Sequence, residues 1–374
     1  MKEGWTYKKL GEVCKIDYGT RVVRSRDAGS KYPVYGGGGA TFKMDTYNRE
    51  ACMIVSRFAM SEQCTRFVKG KFFLNDSGLS VSTKEDKLSQ VFLNWQIIAL
   101  NNAIYKLGRG TAQKNLDTKA FGDLGIVYPP LSEQKRIVER LDSAFAKIDA
   151  LKANAKKQLD DAKALFQKAL EKAMEPKEGW EKKTLKEMCT VITDGTHHSP
   201  VNAANGMYKY ITAKNIKSWG LDLSNITYVS EEVHKEIINR CNPQKGDILY
   251  IKDGATTGIA IVNPLDEEFS LLSSVALIRP QKGMLLSDYL CYALNSPSIY
   301  EQTRSQMDGA AITRVTLVKI KGFTIPLPPF FVQQRIVERL DELSEKVKKL
   351  EEIQEKTIKE CDALKQAILR EVFE

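Results

Sequence analysis

A proline pair followed by about 45 residues free of proline and glycine occurs twice in this chain, 199 positions apart. The first copy reads Pro129-Pro130-Leu131-Ser132-Glu133-Gln134-Lys135-Arg136-Ile137-Val138-Glu139-Arg140-Leu141-Asp142. The second reads Pro328-Pro329-Phe330-Phe331-Val332-Gln333-Gln334-Arg335-Ile336-Val337-Glu338-Arg339-Leu340-Asp341. Pro130 halts any preceding element, and Ser132 is a suitable N-cap with acidic and amide residues just inside. Apolar residues then recur in heptads. One line holds Leu141, Ile148, Ala155, Ala162 and Ala169, and the other Ile137, Ala144, Leu151 and Leu165, with Gln158 interrupting. The second copy repeats this with Leu340, Val347, Cys361 and Ile368, and with Ile336, Leu343, Leu350 and Leu364. A period of 3.5 residues marks a coiled-coil seam. At 1.5 Å per residue such a helix is roughly 65 Å long, more than a small domain is wide. A helix that long with a narrow apolar stripe needs a partner, and the other copy is the nearest one. Antiparallel packing is expected, with a charge at Leu151 or Leu350 strongly destabilising.

The rest of the chain repeats too. Glu178-Gly179-Trp180 restates Glu3-Gly4-Trp5, and Leu185, Glu187 and Cys189 restate Leu10, Glu12 and Cys14, all at offset 175. Just before the second proline pair the offset has grown to 199, so the second globule carries about 24 extra residues. The expected layout is globule 1–128, long helix 129–176, globule 177–327, long helix 328–374. Short apolar runs broken by Gly, Asn and Asp, such as Cys52-Met53-Ile54-Val55, read as strands, while residues 89–100 read as helix. The fold class is α+β: two mixed α/β globules joined by two helices in an antiparallel coiled coil. The borders and helices of the two copies agree while the interiors differ, as expected of one frame holding two different readers.

Composition narrows the partners. The chain of 374 residues has a formal charge of +9, and residues 1–130 hold 20 Lys/Arg against 12 Asp/Glu, nearly all of that excess. Such a balance favours nucleic acid or another anionic surface. No apolar run approaches 18 residues and no signal pattern opens the chain, so a cytoplasmic protein without membrane contact is expected. Seven scattered cysteines without a C-x-x-C pair read as free thiols.

Catalytic motifs are missing. There is no phosphate-cradling G-x-x-x-x-G-K-[ST], no G-x-S-x-G and no H-E-x-x-H. Asn263-Pro264-Leu265-Asp266 lacks the second proline and the aromatic that an amino-methyltransferase uses to hold its target amine. Gly36-Gly37-Gly38-Gly39, after Tyr35, reads as a turn or a close backbone approach to a ligand. His197-His198 suggests a metal, but only His234 remains as a third histidine, and a polar turn presenting donors fits better. Thr20, Arg21, Arg24, Arg26 and Tyr35 can track phosphates or reach into a groove. Gly108-Arg109-Gly110-Thr111-Ala112-Gln113-Lys114-Asn115 offers base-edge readers in Arg109, Gln113, Lys114 and Asn115. Its counterpart, ending in Thr313 and Arg314, likewise stands just ahead of a long helix.

These residues carry a family likeness. The duplicated globule–helix unit closed by Pro-Pro-Leu-Ser-Glu-Gln-Lys-Arg-Ile-Val resembles the specificity subunit of type I restriction–modification systems. So do Gly110-Thr111-Ala112-Gln113-Lys114-Asn115-Leu116, Asp194-Gly195-Thr196-His197-His198-Ser199-Pro200 and Tyr210-Ile211-Thr212-Ala213-Lys214-Asn215-Ile216. The resemblance implies two target recognition domains, each reading half of a bipartite, non-palindromic site in double-stranded DNA. It implies helices that space them and dock two methyltransferase subunits, which bind S-adenosylmethionine; this chain needs no cofactor or metal of its own. A translocating restriction subunit can join. DNA contacts are expected from the residues above and from Thr196, His197, His198, Lys214 and Asn215. Docking is expected near Gln134, Arg136, Glu139 and Arg140, and near Gln333, Arg335, Glu338 and Arg339. In the first globule Tyr18-Gly19-Thr20-Arg21 replaces the Asp-Gly-Thr-His turn. The alternative is a coiled-coil adaptor without sequence-specific DNA binding, which explains the helices but not the basic, glycine-rich loops.

Overall fold

The structure, a computed structural model, describes residues 3–111, 113–307 and 314–373. It divides into two units, Met1–Lys156 with Glu355–Glu374, and Lys157–Gln354.

In the first unit a six-stranded sheet runs in the order Cys14–Tyr18, Gly78–Thr83, Arg49–Ser56, Thr65–Leu74, Tyr32–Tyr35, Ala40–Met44. All neighbours are antiparallel except Tyr32–Tyr35, which runs parallel to Thr65–Leu74. Met53, Val55, Leu79 and Val81 bury one face of the sheet against Phe92, Leu93 and Ile97 of helix Gln90–Ala99. The same core includes Ile137, Leu141 and Phe145 of the first long helix and Leu369 of the second. The globular part and its helical segments therefore share one hydrophobic core.

The second unit has a four-stranded antiparallel sheet, Cys189–Asp194, Val275–Pro280, Ile248–Ile251, Ala260–Val262. Beside it Tyr208–Ile211 lies between Thr227–Val229 and Phe269–Leu271. One core joins the first sheet to Leu170, Met174 and Leu340 of the long helices. Another fills its opposite side with Ile211, Leu249, Ile251, Phe269 and Leu277.

Both units close in the same way. Thr6 pairs with Tyr128 where Thr6–Lys9 meets Gly125–Tyr128, and Glu181 pairs with Leu327 where Glu181–Thr184 meets Thr324–Leu327. The Leu10 amide donates to the Leu124 carbonyl at 2.8 Å, and the Leu185 amide to that of Phe323 at 2.9 Å. Each globular part thus begins and ends on one two-stranded ribbon, with the proline pair immediately after it.

The long helices span Leu131–Met174 and Phe330–Phe373, 44 residues each. Helical geometry starts directly after the prolines, because the Pro130 carbonyl accepts from the Glu133 and Gln134 amides and that of Pro329 from Val332 and Gln333. Ser132 therefore sits inside the first turn and is not the N-cap. The helices pack antiparallel in both units. Lys152 meets Asp362 at 2.6 Å and Lys365 meets Asp149 in the first unit. In the second, Lys163 meets Glu351 at 3.2 Å and the Gln354 amide donates to Gln158 at 2.9 Å.

The heptad reading holds only in part. Leu141, Ile148 and Ala155 are buried, as are Leu340 and Cys361, but Leu151 and Leu165 are 53% and 59% exposed. Phe145, Leu170 and Met174, which lie off both heptad lines, are buried instead. A straight α-helix drifts about 20° per heptad against a strict 3.5-residue repeat, so the buried stripe walks off the second line. No helix among the described residues is long and apolar enough to cross a membrane.

Candidate functional site

In the first unit three stretches converge on one turn, residues 75–77. The Gly19 amide donates to Gly78 and the Thr20 amide to the Leu74 carbonyl. Asn75 donates to the Tyr35 carbonyl, and both Arg57 and Phe58 donate to the Ser77 carbonyl. The Gly37 amide reaches Ser77 Oγ at 3.1 Å. The loop of residues 109–115 then joins through Leu116 donating to Arg57 at 2.8 Å and Met60 donating to Lys114 at 3.0 Å. The glycines are needed for these approaches. A Cβ on Gly19 would lie 1.8 Å from the Asn75 carbonyl, and one on Gly37 would lie 2.5 Å from that of Phe58. Gly36 and Gly37 thus pack closely against the chain itself, while a Cβ on Gly38 would meet open space.

The second unit builds the same frame. The Thr196 amide donates to Leu271 at 2.9 Å, and a Cβ on Gly195 would lie 1.8 Å from that carbonyl. Lys252 donates to Ser274 at 3.0 Å, and Val315 donates to Lys252 at 2.9 Å. Ser77 and Ser274, and Arg57 and Lys252, therefore occupy equivalent places. Asp253 forms a bridge with Arg314, which brings Arg314 to this surface. The 3₁₀ turn Ala213–Asn215 joins through its Ala213 amide on Ser274 Oγ at 3.3 Å.

Side chains on the two frames differ. Asp194 is 2% exposed and receives Arg240 Nη2 at 2.6 Å, while Lys252 Nζ lies 3.5 Å away. Arg240 Nη2 also meets His197 Nε2 at 2.9 Å. The same ring nitrogen lies 3.2 Å from Asp194 Oδ1, so aspartate, arginine and histidine meet at one point of this turn. In the first unit Tyr18 stands where Asp194 does, and Arg57 lies over its ring at 4.7 Å.

The residues singled out from sequence fall into three groups. Thr20, Arg21, Gln113 and Asn115 are exposed in or beside the converging loops, as are His197, His198, Lys214 and Arg314 in the second unit, where Thr196 is half-buried. Arg109 is exposed but ion-paired to Asp117. The amide of Ala120, with Arg109 and the Lys119 amide, holds that carboxyl below the usual carboxylate range. Lys114 covers the Tyr105 ring at 4.0 Å. Others are engaged within the fold. Asn215 is 6% exposed, accepts from the Thr212 amide at 3.0 Å and donates to Asp222 at 3.2 Å. Tyr35 packs edge-on against Phe72. Arg24 and Arg26, by contrast, are exposed on the short helix Arg24–Asp27, where Arg26 pairs with Asp27. Thr313 lies outside the described residues.

The docking candidates divide as well. Gln134 and Gln333 are fully buried. Gln134 accepts from the Ser89 amide and donates to the Lys87 and Pro129 carbonyls; Gln333 accepts from Leu286 and donates to Met284 and Pro328. Their amides lock helix to globule and offer nothing to a partner. About two turns later Trp95 donates to Asp142 at 3.0 Å and Tyr292 to Asp341 at 2.6 Å, a second repeated lock. Arg136, Glu139, Arg140, Arg335, Glu338 and Arg339 are exposed. Arg335 and Arg339 line a groove of about 790 Å³ whose apolar residues include Ile336, Leu340 and Leu343 and whose other cations are Lys168, Lys172, Lys177 and Lys346.

Sequence reasoning missed Arg57, Lys252 and Arg240. The available signal was faint: a cation directly after an apolar strand in each copy, Ser56-Arg57 and Ile251-Lys252, at an offset between the two known ones. It also missed Trp219, 71% exposed between the paired strands Ile216–Lys217 and Gly220–Leu221.

Residues 2–161 and 177–360 match the family described as Type I restriction modification DNA specificity domain. The EcoBI specificity subunit of Escherichia coli is 23% identical over 326 residues, covering 80% of this chain and 68% of that one. The EcoKI specificity subunit of Escherichia coli K12 is 25% identical over 293 residues, covering 73% of this chain and 62% of that one. In fold, the chain is similar to one solved in work on complex assembly and conformational transition of the type I R-M system, with a TM-score of 0.76, 20% identity and coverage of 99% and 97%. The HsdS subunit from Thermoanaerobacter tengcongensis gives a TM-score of 0.54 at 19% identity, with coverage of 100% and 97%.

Proposed function

Since this chain belongs to the type I restriction modification DNA specificity family, we propose that its two units each read one half of a bipartite DNA site. The observation that carries this reading is the repeated frame. A glycine turn, a strand-end cation and the residue that bonds to it, Leu116 or Val315, are held by equivalent backbone hydrogen bonds in both units. One scaffold bearing Tyr18 and Arg57 in one copy and Asp194 and Lys252 in the other suits two readers of different sequences. The half-sites therefore differ, and the full site is non-palindromic with an unread gap of fixed length. Half-sites read from one face of B-DNA lie about 10 bp apart centre to centre, which leaves a gap of about 5–8 bp.

The chain supplies recognition and no catalytic group. Methyl transfer falls to two methyltransferase subunits carrying S-adenosylmethionine, and a restriction subunit can join them. Their docking is supported by the exposed arginines after each proline pair, Arg136, Arg140, Arg335 and Arg339, and by the cation-rimmed groove in the second unit. The test is incubation of the purified chain with DNA and labelled S-adenosylmethionine, with and without the host's methyltransferase subunits. Label should enter DNA only in the complete mixture. Label transferred by the chain alone would refute the non-catalytic role, and a complex that methylates without sequence preference would refute the reading function.

A further inference from the structure

We propose that Arg57 reads a guanine in the half-site of the first unit, donating through its guanidinium fork to O6 and N7. The proposal rests on the specificity-subunit reading above and names a residue and a base for it.

Arg57 directly follows the core strand Arg49–Ser56, and its backbone is fixed on both sides. Its amide donates to Ser77 at 2.8 Å and its carbonyl accepts from Leu116 at 2.8 Å. Those two bonds place it between the turn of residues 75–77 and the loop of residues 109–115. The guanidinium carbon stands 4.7 Å from the Tyr18 ring centre and 4.4 Å from that of Phe58. Stacking on aromatic faces orients the planar fork, so fewer side-chain states are lost when it engages a ligand. Of its five N–H donors, only Nη1 has a protein acceptor among the described residues, the Asp76 carbonyl at 3.4 Å. No carboxylate among those residues pairs with it, unlike Arg109 with Asp117 or Arg26 with Asp27.

The second repeat supplies the contrast. Lys252 has the same backbone bonds but is buried, with its ammonium between Asp194 and Asp253 at 3.5 and 3.4 Å. There the strand-end cation is engaged within the protein. In the first unit Tyr18 replaces the aspartate, so the cation keeps its donors. A pre-oriented fork with free donors matches the two acceptors of guanine in the major groove, the commonest specific arginine contact. A phosphate also accepts such a fork, but that contact is blind to the base, so dependence on one guanine N7 separates the two.

The experiment uses the full chain assembled with its host's methyltransferase subunits and duplexes carrying its methylation site. Each guanine of the site is replaced in turn by 7-deazaguanine, which lacks the N7 acceptor. The wild-type complex should lose about tenfold or more in affinity at one guanine of the first half-site. Arg57→Ala and Arg57→Lys should each lose a similar factor on the unmodified duplex and no longer respond to that replacement. Responses in the second half-site should stay as in wild type. Arg57→Lys behaving as wild type would overturn the proposal. So would uniform weakening on all duplexes with a salt slope reduced by about one, the mark of a phosphate contact. A loss that tracks a lowered melting temperature would assign Arg57 a structural role instead. If the wild-type complex shows no sequence preference at all, the underlying reading fails, and this proposal with it.

Discussion

Lys252 faces Asp194 at 3.5 Å with both side chains almost wholly buried, 8% and 3% exposed. Removing one partner of such a pair leaves an uncompensated charge, which costs far more than the pair itself contributes. Asp194→Ala should destabilise the second unit by about 3–5 kcal/mol, because Arg240 and His197 lose the same carboxylate. Urea unfolding measures this. The double variant Asp194→Ala with Lys252→Met should recover most of the loss; no recovery would mean that the pair is not what holds this turn.

Gln134 and Gln333 predict a matched pair of effects. Replacing either by Ala strands a half-buried backbone amide, that of Ser89 or Leu286, at about 1–3 kcal/mol each. Hydrogen exchange should quicken at Ser89 in Gln134→Ala and at Leu286 in Gln333→Ala, each change staying in its own unit.

The repeated frame was legible in the sequence because its borders are made by residue types with few substitutes. A proline pair, a glycine under a carbonyl and an amide that must reach three backbone groups leave the same letters in both copies. The roles of some letters were not legible. The match between residues 134–140 and 333–339 suggested a shared partner, yet Gln134 and Gln333 match because both lock a helix to its own globule. Nor did the strict 3.5-residue count anticipate the drift of a straight helix, which exposes Leu151 and Leu165 and buries Phe145 and Leu170. Arg57 was missed because an arginine after a strand is unremarkable until the fold brings Tyr18 and Phe58 against it.

The helix stripe predicts opposite outcomes at two leucines ten residues apart. Leu141 is 1% exposed, and Leu141→Asp should cost about 3–5 kcal/mol through lost burial and a buried charge. Leu151 is 53% exposed, and Leu151→Asp should cost under about 1 kcal/mol. Thermal unfolding of both variants distinguishes this stripe from a strict heptad seam, which predicts comparable damage.

Alkaline pH should weaken the fold. Burial pushes the Cys14 and Cys241 thiols from 9.0 up to about 12, and burial likewise pushes the Tyr210 phenol from 10.0 up to about 12. Between those values the unfolded chain releases protons that the folded chain retains. Stability is therefore full below pH 9 and declines as pH rises toward 12. The urea midpoint should fall from pH 8 to pH 10.5, and native Cys14 and Cys241 should resist thiol reagents at pH 8 until urea is added.

The central claim is that the two units read independently. Its most direct test is to exchange residues 1–128 for the corresponding region of another family member and sequence the methylated sites of a host carrying the exchange. The account predicts that one half-site changes while the other half-site and the gap length stay as they were. Change in both half-sites, or methylation at one continuous palindrome, would contradict it.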